Sequence, residues 1–204
     1  MKKEDVRITK SKKSLREAVA KLLSTQQFAS LTVKQICQEA DVNRMTFYKH
    51  YSDKYDLLDD CLQQVRNDIH KKCLEIHPDS AKNDPALFCA SYLTAVKSVF
   101  MSGRDFLLEY SRDGDSQLLL SLNKSLRAGI YEMLLELSKY HTLIYGIENT
   151  ATMLSGAASA FLYELLTKET SADCHETSNR LQCFFKRFFD SGLFVTLNVS
   201  LINQ

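Results

Sequence analysis

The residues best suited to chemistry in this chain lie between Arg44 and His50. Arg44, Met45, Thr46, Tyr48, Lys49 and His50 surround one large apolar anchor, Phe47, and no carboxylate stands among them. Guanidinium, hydroxyl, ammonium and imidazole groups displayed together suit phosphate oxygens and the edges of bases. A second cluster, His70, Cys73 and His77, has spacings of three and four that could bring soft or borderline metal ligands onto one helix face. Lys71, Lys72 and the helix-ending Pro78 oppose that reading, no fourth ligand is evident, and no metal is expected. A Gly-rich phosphate loop, a His-Glu-x-x-His motif, a nucleophile elbow and paired carboxylates are all missing, so neither catalysis nor a cofactor is expected.

A donor-rich run this short needs a scaffold to present it, and the flanking sequence supplies one. Thr32-Val33-Lys34-Gln35 fits a capping box, and Val33, Ile36, Cys37 and Ala40 then give a narrow apolar helical face. Asp41-Val42-Asn43 reads as a turn in which Val42 fills the angle between two helices and Asn43 caps the second. That second helix is predicted from Arg44 to about Tyr51. Ser52 or Asp53 can cap a following helix whose first turn carries Lys54, a cation where the helix dipole favours an anion. A bound phosphate would resolve that conflict. A first helix from about Lys10 to Thr25, with Leu15, Ala18, Val19, Leu22 and Leu23 on its buried side, closes a small core with Phe28 and Leu31.

On these residues the segment resembles the N-terminal domain of the TetR family of one-component bacterial regulators. The family pattern is met by Leu31 to Val33, Ala40, Val42, Thr46 to Tyr48, His50 with Tyr51, and Lys54 to Leu58, and the likeness extends over roughly residues 9 to 60. The resemblance implies that the helix from Arg44 enters a major groove, that Tyr48, Lys49 and His50 touch backbone or bases, and that Thr32 and Lys54 hold phosphates. Met45 departs from the small or Pro-like residue common at its position, although a methionine can pack on a thymine methyl group.

Charge divides the chain near the end of this motif. Residues 1–54 hold twelve Lys plus Arg and six Asp plus Glu, a net of +6, while residues 55–204 hold fourteen and nineteen, a net of −5. A basic domain 1–54 followed by an acidic domain 55–204 is the pattern expected of a duplex reader joined to a body that stays off the DNA. Lys2, Lys3, Lys10, Lys12 and Lys13 read as a basic arm that follows phosphates or reaches a minor groove, or equally as a solvated tail. A hydrophobic content of 45% supports a core, and six Gly with two Pro leave little room for turn-rich β structure. The expected class is therefore all-α with about nine helices. No run of about 18 uncharged apolar residues occurs, so a cytoplasmic protein without membrane association is expected. Cysteines at 37, 61, 73, 89, 174 and 183 lack C-x-x-C pairing and suit reduced, buried thiols, with a redox sensor as the alternative.

The second domain reads as further helices. One long helix from about Asp53 to Ile76 links it to the first and stops at His77-Pro78. Asp84-Pro85 starts another, with Leu87, Phe88, Tyr92, Val96, Val99 and Phe100 as its stripe. A short helix from about Asp105 to Arg112 and a long one from about Ser116 to Leu137 follow. Tyr92, Phe100, Phe106, Tyr110, Met133 and Phe161 are candidate walls of a ligand pocket, or else plain core. The stretch from Ile147 to Leu166 is apolar over most of its circumference, includes the small run Ser155 to Ala160, and is followed by four phenylalanines between Phe184 and Phe189. That is more aromatic surface than one side of a small core hides, which makes Gly156, Ala160, Tyr163, Phe184, Phe185 and Phe188 the candidate dimer face. The same stretch resembles C-terminal helices that form four-helix dimer interfaces in many TetR-family proteins. After Gly192, Val195, Leu197, Val199 and Leu201 alternate with largely polar residues in nearly the pattern of a strand, a tail that the sequence leaves open between an edge strand, an irregular continuation of the last helix and disorder.

Together these readings lead to the expectation of a homodimeric, sequence-specific transcriptional regulator. It would act as a repressor on a palindromic operator in double-stranded DNA and be released by a small-molecule effector. The alternatives are a regulator or coactivator of the same fold controlled by a protein partner, and a ligand-binding dimer that no longer reads DNA.

Overall fold

In the computed structural model, residues 3–102 and 116–167 are described, with shorter stretches at 176, 179–180, 183–184, 187–192 and 194–196. Eight helices are described: α1 (Lys3–Leu23), α2 (Val33–Glu39), α3 (Arg44–His50), α4 (Lys54–Ile76), α5 (Ser80–Asn83), α6 (Pro85–Ser102), α7 (Ser116–Ser138) and α8 (Gly146–Thr167). The fold is all-α, with one small addition. Strands β1 (His141–Leu143) and β2 (Phe194–Thr196) form an antiparallel ribbon in the register His141 to Thr196, Thr142 to Val195 and Leu143 to Phe194. The alternating tail thus begins as a strand. The expected helix near residues 105–112 lies outside the described residues.

One helical start differs from expectation. The first helix begins at Lys3 rather than near Lys10, so Lys3, Lys10, Lys12 and Lys13 ride on a helix instead of a free arm. Nothing in Lys3 to Leu23 breaks a helix, since that stretch holds neither Gly nor Pro. The long α4 starts as expected, and its cap is Asp53, whose Oδ1 accepts the backbone N–H groups of Tyr55 at 2.8 Å and Asp56 at 2.9 Å. Asp84 plays the same part before Pro85, accepting from the Leu87 N–H at 3.0 Å.

The described residues fall into two compact units whose boundary cuts α4 after Gln64 and α7 after Leu122. The first unit packs Leu15, Val19, Phe28, Ile36, Phe47, Leu57 and Leu58, with Leu118 and Leu122, into one core. Leu15, Ala18, Val19 and Leu23 face inward from α1 at helical spacing, as the pattern requires. The second unit has its own core of Ile69, Cys73, Phe88, Cys89, Tyr92, Ala95, Ile130, Met133, Leu134, Leu137, Ala151, Leu154 and Ala158. Within α6 the buried stripe is Phe88, Cys89, Tyr92 and Ala95, whereas Leu87 is exposed. Phe88 and Tyr92 are thus buried as expected and Val96 packs against the core, while Leu87 departs from the expected stripe because α6 is apolar over much of its surface and periodicity alone does not fix the stripe's edge.

Candidate nucleic-acid interface

The helix α3 is only seven residues long and buries only Phe47. A helix this short is marginal by itself, so its ends must be held from outside. Asn43 holds the start, its Oδ1 accepting the Met45 N–H at 2.8 Å. The preceding helix is held by a reciprocal capping box: Thr32 Oγ1 accepts the Gln35 N–H at 3.3 Å, and Gln35 Oε1 accepts the Thr32 N–H at 2.9 Å. Between α2 and α3 the chain turns at Asp41, which has a φ of +53°. Asp is among the few non-glycine residues that tolerate this left-handed conformation. Val42 is half-buried and packs on the core beneath, filling the angle between the two helices.

The far end of α3 is held by a charged node that sequence reasoning missed. The Tyr51 hydroxyl donates to Asp60 Oδ2 at 2.6 Å, and Arg16 Nη1 donates to the same oxygen at 2.9 Å. One carboxylate thus ties α1, the end of α3 and α4 together. Burial and then the bond to Asp60 push the Tyr51 phenol far above its ordinary value. For Asp60 burial alone would raise the carboxyl, but the hydrogen bonds from Tyr51 and Arg16 and the charge of Lys12 hold it below the usual range. The Lys12 ammonium lies 5.2 Å from the centroid of the Tyr51 ring, a cation–π distance. No advance signal existed: Arg16 and Asp60 are 44 residues apart, and no local pattern links them.

With both ends fixed, α3 presents an outer face of Arg44, Met45, Tyr48 and Lys49, all exposed, with Thr46 and His50 half-buried beside them. Met45 is 73% exposed and Tyr48 59%, values that decide their role, since neither contributes to the core. Burial, then Lys12 and Lys49, lowers the His50 imidazole below its ordinary value. Thr32 is exposed at the start of α2, with its hydroxyl engaged in the capping box. Lys54 is half-buried, and its ammonium donates to the carbonyl oxygens of Phe28, Ala29 and Leu31. The structure therefore gathers Arg44, Met45, Tyr48 and Lys49 on one open face and turns Lys54 inward.

Of the residues expected to line a ligand pocket, the side chains of Tyr92, Met133 and Phe161 are described. Tyr92 and Met133 are buried in the core of the second unit, and the Tyr92 hydroxyl donates to the Gly129 carbonyl at 3.1 Å. Phe161 is half-buried against Phe184, with ring centroids 6.2 Å apart. Phe106 and Tyr110 lie outside the described residues, as does the side chain of Phe100. A cavity of about 370 Å³ lies instead beside α6, lined by Ala86, Cys89, Ala90, Leu93, Thr94, Asn179 and Cys183. Of the candidate dimer face, Gly156, Ala160 and Phe184 are exposed and Phe188 is half-buried. Phe185 and the side chain of Tyr163 lie outside the described residues. Met153, 54% exposed, shares the outer stripe of α8 with Gly156 and Ala160 at spacings of three and four.

Among the described residues no group of His, Cys, Asp or Glu is arranged to hold a metal ion. Cys73 is buried, with its Sγ 3.7 Å from the Phe88 carbonyl oxygen, so it does not join His70 and His77 at a surface site. Burial pushes the Cys61 and Cys73 thiols up to about 12 and raises Cys89 as well, which keeps them protonated and poorly nucleophilic. No described helix is long and apolar enough to cross a membrane.

Residues 15–61, which hold the motif, match the family described as bacterial regulatory proteins, tetR family. An uncharacterized HTH-type transcriptional regulator, YxbF, of Bacillus subtilis (strain 168) is 31% identical over 168 residues, covering 76% of this chain. The match spans 44% of that relative's length, so the chain corresponds to less than half of it. Among solved structures, a TetR transcriptional regulator from Streptococcus agalactiae 2603V superposes with a TM-score of 0.55 at 21% identity, covering 91% of this chain and 97% of that one. The dihydroxyacetone kinase operon activator DhaS gives a TM-score of 0.54 at 14% identity, covering 90% and 96%. These two share the fold.

Proposed function

We propose that this chain, which belongs to the tetR family of bacterial regulatory proteins, reads duplex DNA with α3 and represses transcription as a homodimer on a palindromic operator. The observation that carries the reading is the outer face of α3. Arg44, Met45, Tyr48 and Lys49 are exposed on a helix fixed at both ends, in a segment without a carboxylate. Arg44 is suited to a guanine edge, Met45 to a thymine methyl, and Tyr48, Lys49, Thr46 and His50 to bases or neighbouring phosphates. Thr32, exposed at the start of α2, is suited to a further phosphate. DNA reading falls to residues 1–54, and sensing and dimerisation to residues 55–204.

Dimerisation has a simple purpose here: a two-fold dimer presents two reading helices to two half-sites of a palindrome. The stripe of Met153, Gly156 and Ala160 with Phe184 is an exposed apolar and small-residue surface suited to a second copy of the chain. Release by a small-molecule effector in the second unit would shift operator affinity by roughly 5-fold to 150-fold at a coupling of 1 to 3 kcal/mol. A mixed-sequence duplex titrated at several salt concentrations tests the DNA-binding half. Affinity should fall steeply with salt, and Lys49→Ala should flatten the log–log slope by about 0.9 for each protomer that loses its phosphate contact. Sedimentation of Met153→Glu tests the other half: the wild type should run as a dimer and the variant as a monomer, and a dimeric variant would place the interface elsewhere.

A further inference from the structure

The ammonium of Lys54, the first residue of α4, is enclosed by protein groups. Its Nζ donates to the carbonyl oxygens of Phe28 and Ala29, each at 2.8 Å, and of Leu31 at 3.1 Å. It also lies 4.9 Å from the ring centroid of Phe28 and 5.4 Å from that of Tyr55. A lysine ammonium has three N–H donors, and three carbonyls take them. The carbonyls belong to the connection between α1 and α2, outside any helix ladder, and that of Phe28 also accepts the Leu31 N–H at 3.0 Å. A phosphate oxygen recruited to Nζ would have to displace at least one of these three bonds.

The position of these carbonyls gives the contact its consequence. They lie immediately before Thr32, whose capping box starts α2, and α2 leads through the turn at Asp41 into α3. We propose that Lys54 is a positioning residue: it clips the α1–α2 connection to the start of α4 and so fixes where α2 and α3 stand, without itself ligating phosphate. The cation in the first turn of α4 is thereby explained from inside the protein, since three carbonyl dipoles, rather than a DNA phosphate, offset the unfavourable helix dipole. The proposal rests on the reading of α3 as the DNA-contacting helix.

Two measurements on the 204-residue chain test it. The first is amine acylation of the wild type, free and bound to duplex, read out by peptide mass spectrometry. Lys54 should resist acylation in the free protein while exposed Lys34 and Lys49 react, and duplex should protect Lys49 without changing Lys54. A Lys54 that reacts when free and is protected by duplex overturns the proposal. The second is Lys54→Met, which keeps the alkyl stem and removes the donors. The ratio of specific to mixed-duplex affinity should fall about tenfold, the discrimination of about one base contact, with the salt slope unchanged. A slope flattened by about 0.9 would mark a lost phosphate contact and overturn the proposal. A lower melting temperature with an unchanged affinity ratio would also overturn it, because the role would then be structural only. Should Lys54→Met fail to fold, the acylation pattern of the wild type decides the matter. Should the wild type bind no duplex, the reading of α3 fails, while the free-protein pattern still decides whether the clip exists.

Discussion

The short α3 and the second half of α7 make helices by opposite means. The stretch of α7 from residue 123 onward buries Ile130, Met133, Leu134 and Leu137, a stripe that holds it against the core of its own unit. By contrast α3 buries Phe47 alone and is secured by the Asn43 cap, by Tyr51 on Asp60, and by the packing of Val42. A helix held by its own stripe has one face committed and little freedom in what it displays. A helix held by its ends can give nearly its whole circumference to a partner, which is what a helix that reads bases requires.

The strongest way to break this comparison is to remove the single anchor. Phe47→Ala should cost about 3 to 5 kcal/mol and melt the first unit, leaving much of the helical circular dichroism of the second. A single cooperative transition with both units lost together would contradict the separation. Next in size, Arg44→Ala should lower discrimination between duplex sequences by about 1 to 3 kcal/mol with an unchanged melting temperature, as measured by competition binding. A loss of stability instead would show that the outer face of α3 is not free.

The charged node sharpens the comparison further. Asp60→Asn should destabilise the first unit by about 1 to 2 kcal/mol at neutral pH, since hydrogen bonds from a guanidinium and a phenol both end on that carboxylate. Because the folded Asp60 carboxyl is held below its ordinary value, its contribution is present above the unfolded value near pH 4 and is lost as pH falls through the lower folded one. Thermal melts of the variant should accordingly show a flatter acid limb than the wild type below about pH 4. The smallest effect concerns His50, whose imidazole is disfavoured as a cation in the free protein by burial and then by Lys12 and Lys49. Phosphate beside it favours the cation, so duplex affinity should rise a few-fold, at most about tenfold, between pH 8 and pH 5.5. His50→Gln should abolish that dependence, and a variant that retains it would move the titrating group elsewhere.

Much of the reading head was legible because its signals are local. The Thr32–Gln35 box, the Asn43 cap and the turn between them involve residues two or three apart, so the chain states them directly. The alternation after Gly192 had the period of a strand but left the tail unplaced, and its partner His141–Leu143 lies some fifty residues earlier, beyond any local signal. What escaped was tertiary. The three carbonyls that receive Lys54 are backbone groups and leave no mark in composition. The Asp60 node joins residues from three helices. The lysine-rich start of α1 looked like an arm because its charge obscured a run with no helix breaker. On α6, Leu87 was placed inward with Phe88 and Tyr92 but is exposed, because an apolar residue at the edge of a broad apolar stripe carries no mark of which side it faces.

The most direct test of α3 as the reading helix is selection of a random duplex library by the purified 204-residue chain, with sequencing of the retained fraction, beside Tyr48→Ala at two salt concentrations. The account predicts an enriched palindrome that disappears in the variant at both salts. A folded wild-type dimer that enriches no sequence, or the same palindrome recovered with Tyr48→Ala, would contradict the assignment of α3 as the reading helix.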